Sequence, residues 1–256
     1  MDTDAYLDRL GAPGDSAVDV ETLTRLVARH VETVPFENLS VHLREPIRLD
    51  TEALFDKIVR RRRGGICYEL NTAFADLLGA LGYDVTLVGC KVSNGDGLTM
   101  ILDHVALLVA LDGRRWLVDV GFGRFALRPL DIDVVGEQLD PDGTYTLMRT
   151  PDGDVDVSRD GTLVYRVELH PRTRADLRPG AWYHATSPDS PFTASLTCSQ
   201  THDGGRVTLG GDRLIRTAPD GSRHEETLAP DAVLDAYRRW FGIELDEVPS
   251  VLYPGS

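Results

Sequence analysis

The stretch Arg63-Gly64-Gly65-Ile66-Cys67-Tyr68-Glu69-Leu70-Asn71 sets a thiol just after two glycines and at the head of an apolar-periodic run. Ile66, Leu70, Ala73, Phe74, Leu77, Leu78 and Leu81 fall on one helical stripe, and Gly82 is placed to end it. Cys67 is therefore predicted in the first turn of a buried helix, where unpaired N–H groups and the helix dipole favour a thiolate. The glycines, having no side chains, let backbone or a ligand come close to the sulfur. A free cysteine also packs as a small hydrophobe, so the position gains chemical meaning only with a base beside it.

A base is offered downstream. His104 opens Asp103-His104-Val105-Ala106-Leu107-Leu108-Val109-Ala110-Leu111, and Asp119 lies near the end of Arg114-Arg115-Trp116-Leu117-Val118-Asp119-Val120. Asp112-Gly113 between these β-rich runs reads as a type I′ hairpin turn. Counting outward from that turn sets Leu111 against Arg114, Ala106 against Asp119 and His104 against Gly121. Side chains alternate along a strand, so His104 and Asp119 share one face as diagonal neighbours. The carboxylate can then hold one imidazole nitrogen while the other faces a thiol, the arrangement of a cysteine triad. Asp103 falls on the opposite face and is not expected to orient His104. The plainer alternative is a solvated histidine and an unrelated aspartate near a turn.

In order and spacing, the segments 63–71, 103–109 and 117–123 (Leu117-Val118-Asp119-Val120-Gly121-Phe122-Gly123) resemble the arylamine N-acetyltransferase family. So does His30-Val31-Glu32-Thr33-Val34-Pro35-Phe36-Glu37-Asn38-Leu39, which is similar to that family's His-x-x-x-x-Pro-Phe-Glu-Asn-Leu signature. The likeness continues more weakly through Trp182–Phe192 and the closing Tyr237–Ile243. It implies a coenzyme A-dependent acyltransferase with Cys67, His104 and Asp119 as catalytic triad. It also implies that acetyl-CoA is the acyl donor and an aromatic amine or hydrazine the acceptor. Phe36, Phe122 and Phe192 would line the acceptor pocket, although Phe36 read without the resemblance is equally a core residue. Arg63, Glu69 and Asn71 are expected to scaffold the turn that carries the thiol.

Bulk properties agree with a soluble enzyme. A net charge of −14 argues against a general affinity for nucleic acid or anionic membrane. No segment approaches the unbroken apolar length of a transmembrane helix, and the acidic start Met1–Leu10 lacks the features of a signal peptide. Cys67, Cys90 and Cys198 form no Cys-x-x-Cys spacing, so neither a disulfide framework nor a metal site is expected, and a reducing cytoplasm fits.

Along the chain, residues 4 to 10 suggest a short helix ended by Gly11. Asp19 can cap a second, striped by Val20, Leu23, Leu26, Val27 and Val31. A third starts at Asp50 or Thr51 and runs to the arginines 60–63. From Val85 the pattern changes to period two: 85–92, the hairpin, 144–150, 154–158 and 162–169 read as strands of an antiparallel sheet or barrel. The segment from about Pro171 to Pro191, rich in Pro, Arg and Asp, reads as a long loop crossing between domains. Beyond it, 192–199, 206–211, 213–218 and 223–228 read as strands, and a final helix from Pro230 is striped by Leu234, Tyr237 and Phe241 and stopped by Gly242.

With the resemblance, the expected fold is α+β: an N-terminal helical bundle (1–84), a central antiparallel β-barrel (85–186) and a C-terminal α/β lid (187–256), around a cysteine-protease-like Cys-His-Asp core. The related alternative is an amide synthase that releases or cyclises a polyketide from a carrier thioester. Peptide hydrolysis or transglutamination by the same three residues would proceed without coenzyme A. A binding module with an inert Cys67 would react slowly with alkylating reagents.

Overall fold

A computed structural model of the protein describes residues 1–253. The chain opens with α1 (Thr3–Leu10), α2 (Val20–Thr33), the two-residue strand β1 (Phe36–Glu37), α3 (Leu39–His42) and α4 (Thr51–Phe55), and this part closes with α5 (Cys67–Leu81). Asp2, Asp19 and Asp50 each accept a backbone N–H at a helix start, while Gly11 and Gly82 end α1 and α5 in the left-handed conformation. The third helix runs on to the first of the arginines, Arg60, and stops short of Arg63. It passes after Phe55 into a π-helical turn, Asp56–Arg60, and Arg62 at φ 53° breaks the run. Only Arg63 of that cluster is buried.

The strands β2 (Asp84–Val92), β3 (His104–Leu111), β4 (Arg114–Val118), β5 (Leu130–Asp131), β6 (Gly136–Asp140), β7 (Gly143–Arg149), β8 (Val155–Arg159) and β9 (Thr162–Arg172) form one antiparallel sheet in the order β5-β4-β3-β2-β9-β8-β7-β6. This sheet is a nearly closed barrel whose two edges are joined by side chains in place of a ladder. Gln138 on β6 bonds both the N–H and the carbonyl of Asp131, and Asp140 accepts from the N–H groups of Leu127 and Arg128. The sequence reading missed β5 and β6, since they carry no apolar alternation.

β3 is buried nearly throughout because both its faces are covered. Ala106 and Leu108 point into the barrel with Cys90, Tyr145, Val157 and Tyr165, while Leu107 and Val109 pack against α5 through Ala73, Phe74 and Leu77. α5 is thus enclosed between the helices and the barrel, which is why its first eight residues are all buried.

After β9 comes α6 (Arg174–Thr186), where the sequence reading placed a loop. Pro179 and the density of charge argued against a helix, but Thr173 and Asp176 form a reciprocal capping box that starts one. The strand expected from Phe192 also begins later: residues Pro191–Ala194 form α7, and β10 starts at Cys198. β10 (Cys198–His202), β11 (Gly205–Gly210), β12 (Arg213–Thr217) and β13 (Arg223–Thr227) continue from β1 as a second antiparallel sheet. It is backed by α8 (Val233–Phe241), which follows a single 3₁₀ turn, Pro230–Ala232. Val233, Ala236, Tyr237 and Phe241 bury the inner stripe of α8 on this sheet, giving an α/β lid with its own core. Among the described residues no helix is long and apolar enough to cross a membrane.

His30 reports on the helical layer. It is fully buried, 3.2 Å from the Tyr6 hydroxyl and packed edge-on against Phe74. Burial, helped by the positive charge of Arg9, pushes its imidazole down to about 3. A histidine that stays neutral in the fold but charges in the unfolded chain contributes stability above about pH 6.5, and that contribution is lost as pH falls toward 3. Denaturant midpoints measured from pH 7 to 4 should fall less steeply in His30→Gln than in the wild type. Identical slopes would show that His30 does not titrate in this way.

Candidate active site

Two sequence motifs meet where the nucleophile turn is built. The bond from Glu37 N–H to the Gly65 carbonyl is 3.0 Å, and Phe36 pairs in parallel with Gly65, so the Pro35–Leu39 and Arg63–Cys67 segments run side by side. A Cβ at Gly64 would lie 1.8 Å from the Pro35 carbonyl oxygen, so this close approach requires glycine there. The turn is braced from below by buried ion pairs. Arg63 Nη2 lies 2.9 Å from Glu37, and Lys57 Nζ lies 2.7 Å from Glu69, whose other oxygen accepts the Ile66 N–H at the start of α5. Burial alone would raise the Glu37 carboxyl, but Arg63 and Lys57 outweigh it and hold it below the usual carboxylate range. For Glu69 burial wins despite Lys57, and its carboxyl is raised.

Removing one partner of a buried pair strands the other charge, at a cost of about 3–5 kcal/mol. Arg63→Met should therefore lower the denaturant midpoint sharply, and adding Glu37→Gln should recover part of the loss. A double variant as unstable as the sum of the two single variants would show that the pair is not coupled.

Asp112 (φ 51°) and Gly113 (φ 73°) are both left-handed, as the type I′ turn demands, and Leu111 faces Arg114 as counted from the sequence. The register carries past the last ladder pair, Leu107–Val118, to bring His104 and Asp119 onto the barrel-facing side. His104 Nε2 and Asp119 Oδ2 are 2.7 Å apart. The other carboxylate oxygen accepts from Asn71 Nδ2 at 2.9 Å and from the Gly121 N–H at 3.0 Å, so Asp119 is held on every side. Asn71, on α5, also bonds the Val105 carbonyl and the Val120 N–H, and so locks the helix to both strands of the hairpin.

Cys67, His104 and Asp119 are 3%, 2% and 1% exposed. Burial alone would lower the His104 imidazolium, but Asp119 and then Cys67, each by charge and hydrogen bond, raise it to about 10. Since Nε2 is engaged by Asp119, Nδ1 is the ring nitrogen left for the sulfur. A Cβ at Gly121 would lie 2.8 Å from Cys67 Cα, so only glycine lets the chain after Asp119 settle on the start of α5. Cys90 and Cys198 are fully buried, and desolvation pushes their thiols well above the ordinary range.

Of the three phenylalanines, Phe36 is in ring contact with Phe192 and lines one gap with Phe122. Phe36 and Phe192 are half-buried with ring centroids 5.7 Å apart, and both pack against the cluster that contains Cys67. Phe122 stands edge-on to His104 at 5.1 Å and shares with Phe36, Asp119 and Gly123 the lining of a narrow gap between barrel and lid. Asp103 is turned away from His104, as the alternation required. It bonds Thr99 at 2.7 Å and His184 of α6 at 3.0 Å, while the other ring nitrogen of His184 lies 3.1 Å from Ser190. His184 was not singled out from the sequence; it ties the His104 strand to the turn that carries Phe192.

A family profile described as N-acetyltransferase matches residues 19–250. The arylamine N-acetyltransferase of Mycolicibacterium smegmatis is 36% identical over 97% of this chain and 94% of its own length. Among solved structures, the arylamine N-acetyltransferase of Nocardia farcinica superposes with a TM-score of 0.89 at 36% identity, covering 100% of this chain and 94% of that one. The Mycobacterium marinum enzyme, solved in complex with CoA, gives 0.86 at 32% identity, over 94% of this chain and 93% of that one. Sequence and fold agree over nearly the whole length, so the protein is an acyltransferase and the chain belongs to the arylamine N-acetyltransferase family.

Proposed function

We propose that the protein transfers an acetyl group from acetyl-CoA to an aromatic amine or hydrazine through a thioester on Cys67. The observation that carries this reading is the 2.7 Å bond that fixes His104 against Asp119, while Asn71, on the helix that Cys67 begins, bonds the other oxygen of the same carboxylate. Segment 1–84 supplies the nucleophile, 85–186 supplies His104 and Asp119, and 187–253 of the 187–256 segment, whose last three residues lie outside the described ones, is the lid that completes the acceptor pocket.

In the first half-reaction the Cys67 thiolate, paired with the His104 imidazolium, attacks the thioester carbonyl. Charge on the tetrahedral oxygen is met by the Cys67 N–H, which at the first position of α5 has no acceptor within the helix. The coenzyme A sulfur leaves and takes the proton from His104. The acetyl thioester on Cys67 replaces one thioester with another, so this step is close to balanced. In the second half-reaction an amine attacks the acetyl-enzyme, neutral His104 accepts its proton, and the amide departs as the thiolate–imidazolium pair re-forms. Amide formation makes that step downhill. Asp119 keeps the imidazole in one orientation throughout and stabilises its charged form.

Phe36, Phe122 and Phe192 wall the acceptor site in this scheme, where stacking orients a planar ring and burial contributes about 25 cal/mol per Å² of apolar area. Truncating Phe122 or Phe192 to alanine should slow transfer to an arylamine roughly 30-fold, and should leave formation of the acetyl-enzyme within about threefold. Rapid-quench measurements of the two halves separate the effects. Equal losses in both would show that these rings serve only as packing.

A further inference from the structure

A recess of about 1000 Å³ lies between the segment that joins α3 to α4 and the outer face of α6, and Cys67, His104 and the three phenylalanines take no part in its lining. That volume is at the upper end for small-ligand cavities. Its floor is apolar, formed by Ile47, Leu49, Ala181 and Leu252. On their other side Leu49 and Ala181 pack with Ile66, Cys67 and Leu177, so the recess backs onto the reaction centre without opening into it. Trp182 forms one wall with 70% of its surface exposed, although an indole usually buries most of its large apolar area.

The charge on the rim runs against the chain's net −14. Several charged groups there are already engaged. Arg48 is 3.1 Å from Asp50, Arg174 is bound by Asp76, Thr51 and the Leu49 carbonyl, and Glu45 accepts from Ser40 with Arg63 at 3.6 Å. Arg44 and Arg178 remain: both are exposed on the rim, and neither has an ion pair among the described residues. Two uncommitted guanidinium groups beside a bare indole and an apolar floor match an anion with a flat apolar body. Guanidinium is suited to paired bonds with a carboxylate, and an aromatic ring is suited to stacking on tryptophan.

We propose that this recess binds a planar aromatic carboxylate, its ring against Trp182 and its carboxylate taken by Arg44 and Arg178. The site is separate from the acceptor pocket, so it is independent of which amine the enzyme acetylates.

Calorimetric titration of the full-length protein with 2-naphthoate tests the proposal, using wild type and a sample alkylated at Cys67 with iodoacetamide. The two samples should bind alike. Arg44→Glu and Arg178→Glu should each weaken binding at least tenfold, and so should Trp182→Ala; the neutral isostere 2-naphthamide should bind at least tenfold more weakly than 2-naphthoate. Each variant should form acetyl-enzyme at the wild-type rate and unfold at the wild-type temperature, which sets aside a general loss of structure. The proposal is overturned if no heat of binding is seen, if the amide binds as well as the carboxylate, or if the charge reversals leave affinity unchanged. Loss of binding on alkylation would place the ligand in the acceptor pocket instead. Dodecanoate binding more tightly than 2-naphthoate would replace the aromatic ligand with an aliphatic one.

Discussion

Cys67→Ala should fold like the wild type, form no acetyl-enzyme with acetyl-CoA and lose turnover by at least ~10⁴-fold, as removing the nucleophile of a covalent mechanism does. The sulfur sits among Ile66, Tyr68, Val105 and Leu177, so the smaller side chain costs little packing, within about 2 kcal/mol. Cys67→Ser should be as inactive, because an alcohol at this position does not supply the anion that a thiol supplies. The protein offers two other thiols, but Cys90 and Cys198 are buried and desolvation holds them in the neutral form. Intact-mass spectra after incubation with acetyl-CoA read the outcome directly. An adduct that persists in Cys67→Ala, or maps to Cys90 or Cys198, contradicts the assignment.

The second large effect concerns the orientation of His104. Asp119 receives His104, Asn71 and the Gly121 N–H together, so Asp119→Asn turns an acceptor that satisfies three donors into a group that must donate to one of them. An amide facing Nε2 favours the wrong imidazole tautomer, and the loss in kcat should reach about 10⁴-fold. His104→Gln should remove the fast alkylation of Cys67 at neutral pH, leaving a reaction that becomes appreciable only in alkali. His104 is raised to about 10, so the stabilisation it gains from Asp119 and Cys67 is complete below about pH 6.5 and is lost as pH rises through 10. Asp103→Asn is the matched control: its partners are Thr99 and His184, and it should be far milder. A larger loss for Asp103→Asn than for Asp119→Asn would mean that the wrong carboxylate has been named.

Local chemistry was the most legible part of the sequence. Asp112-Gly113 fixed a turn type, the turn fixed a register, and the period of two then placed His104 and Asp119 on one face with Asp103 on the other. The stripe from Ile66 to Leu81 and the stop at Gly82 were readable for the same reason: each rests on neighbours in the chain. Features that depend on distant partners were not. Nothing beside Lys57 in the chain points to its partner Glu69, and its π-helical turn has no pattern to announce it. β5 and β6 close the barrel through Gln138 and Asp140, polar side chains whose role appears only once both edges are in place. α6 shows a different failure. Composition suggested a loop while the Thr173–Asp176 capping pair, three residues apart, signalled a helix start, and the local signal was the better guide.

On the proposed mechanism, acetyl rests on the enzyme between two separate half-reactions. Wild-type protein is incubated with acetyl-CoA, freed of all nucleotide by rapid gel filtration, and then mixed with an arylamine in the absence of coenzyme A. The expected result is a protein heavier by one acetyl group on Cys67 that returns to its original mass as a stoichiometric amount of acetylated amine forms. A protein that never gains the acetyl group, or one that keeps it until acetyl-CoA is added back with the amine, would contradict the account.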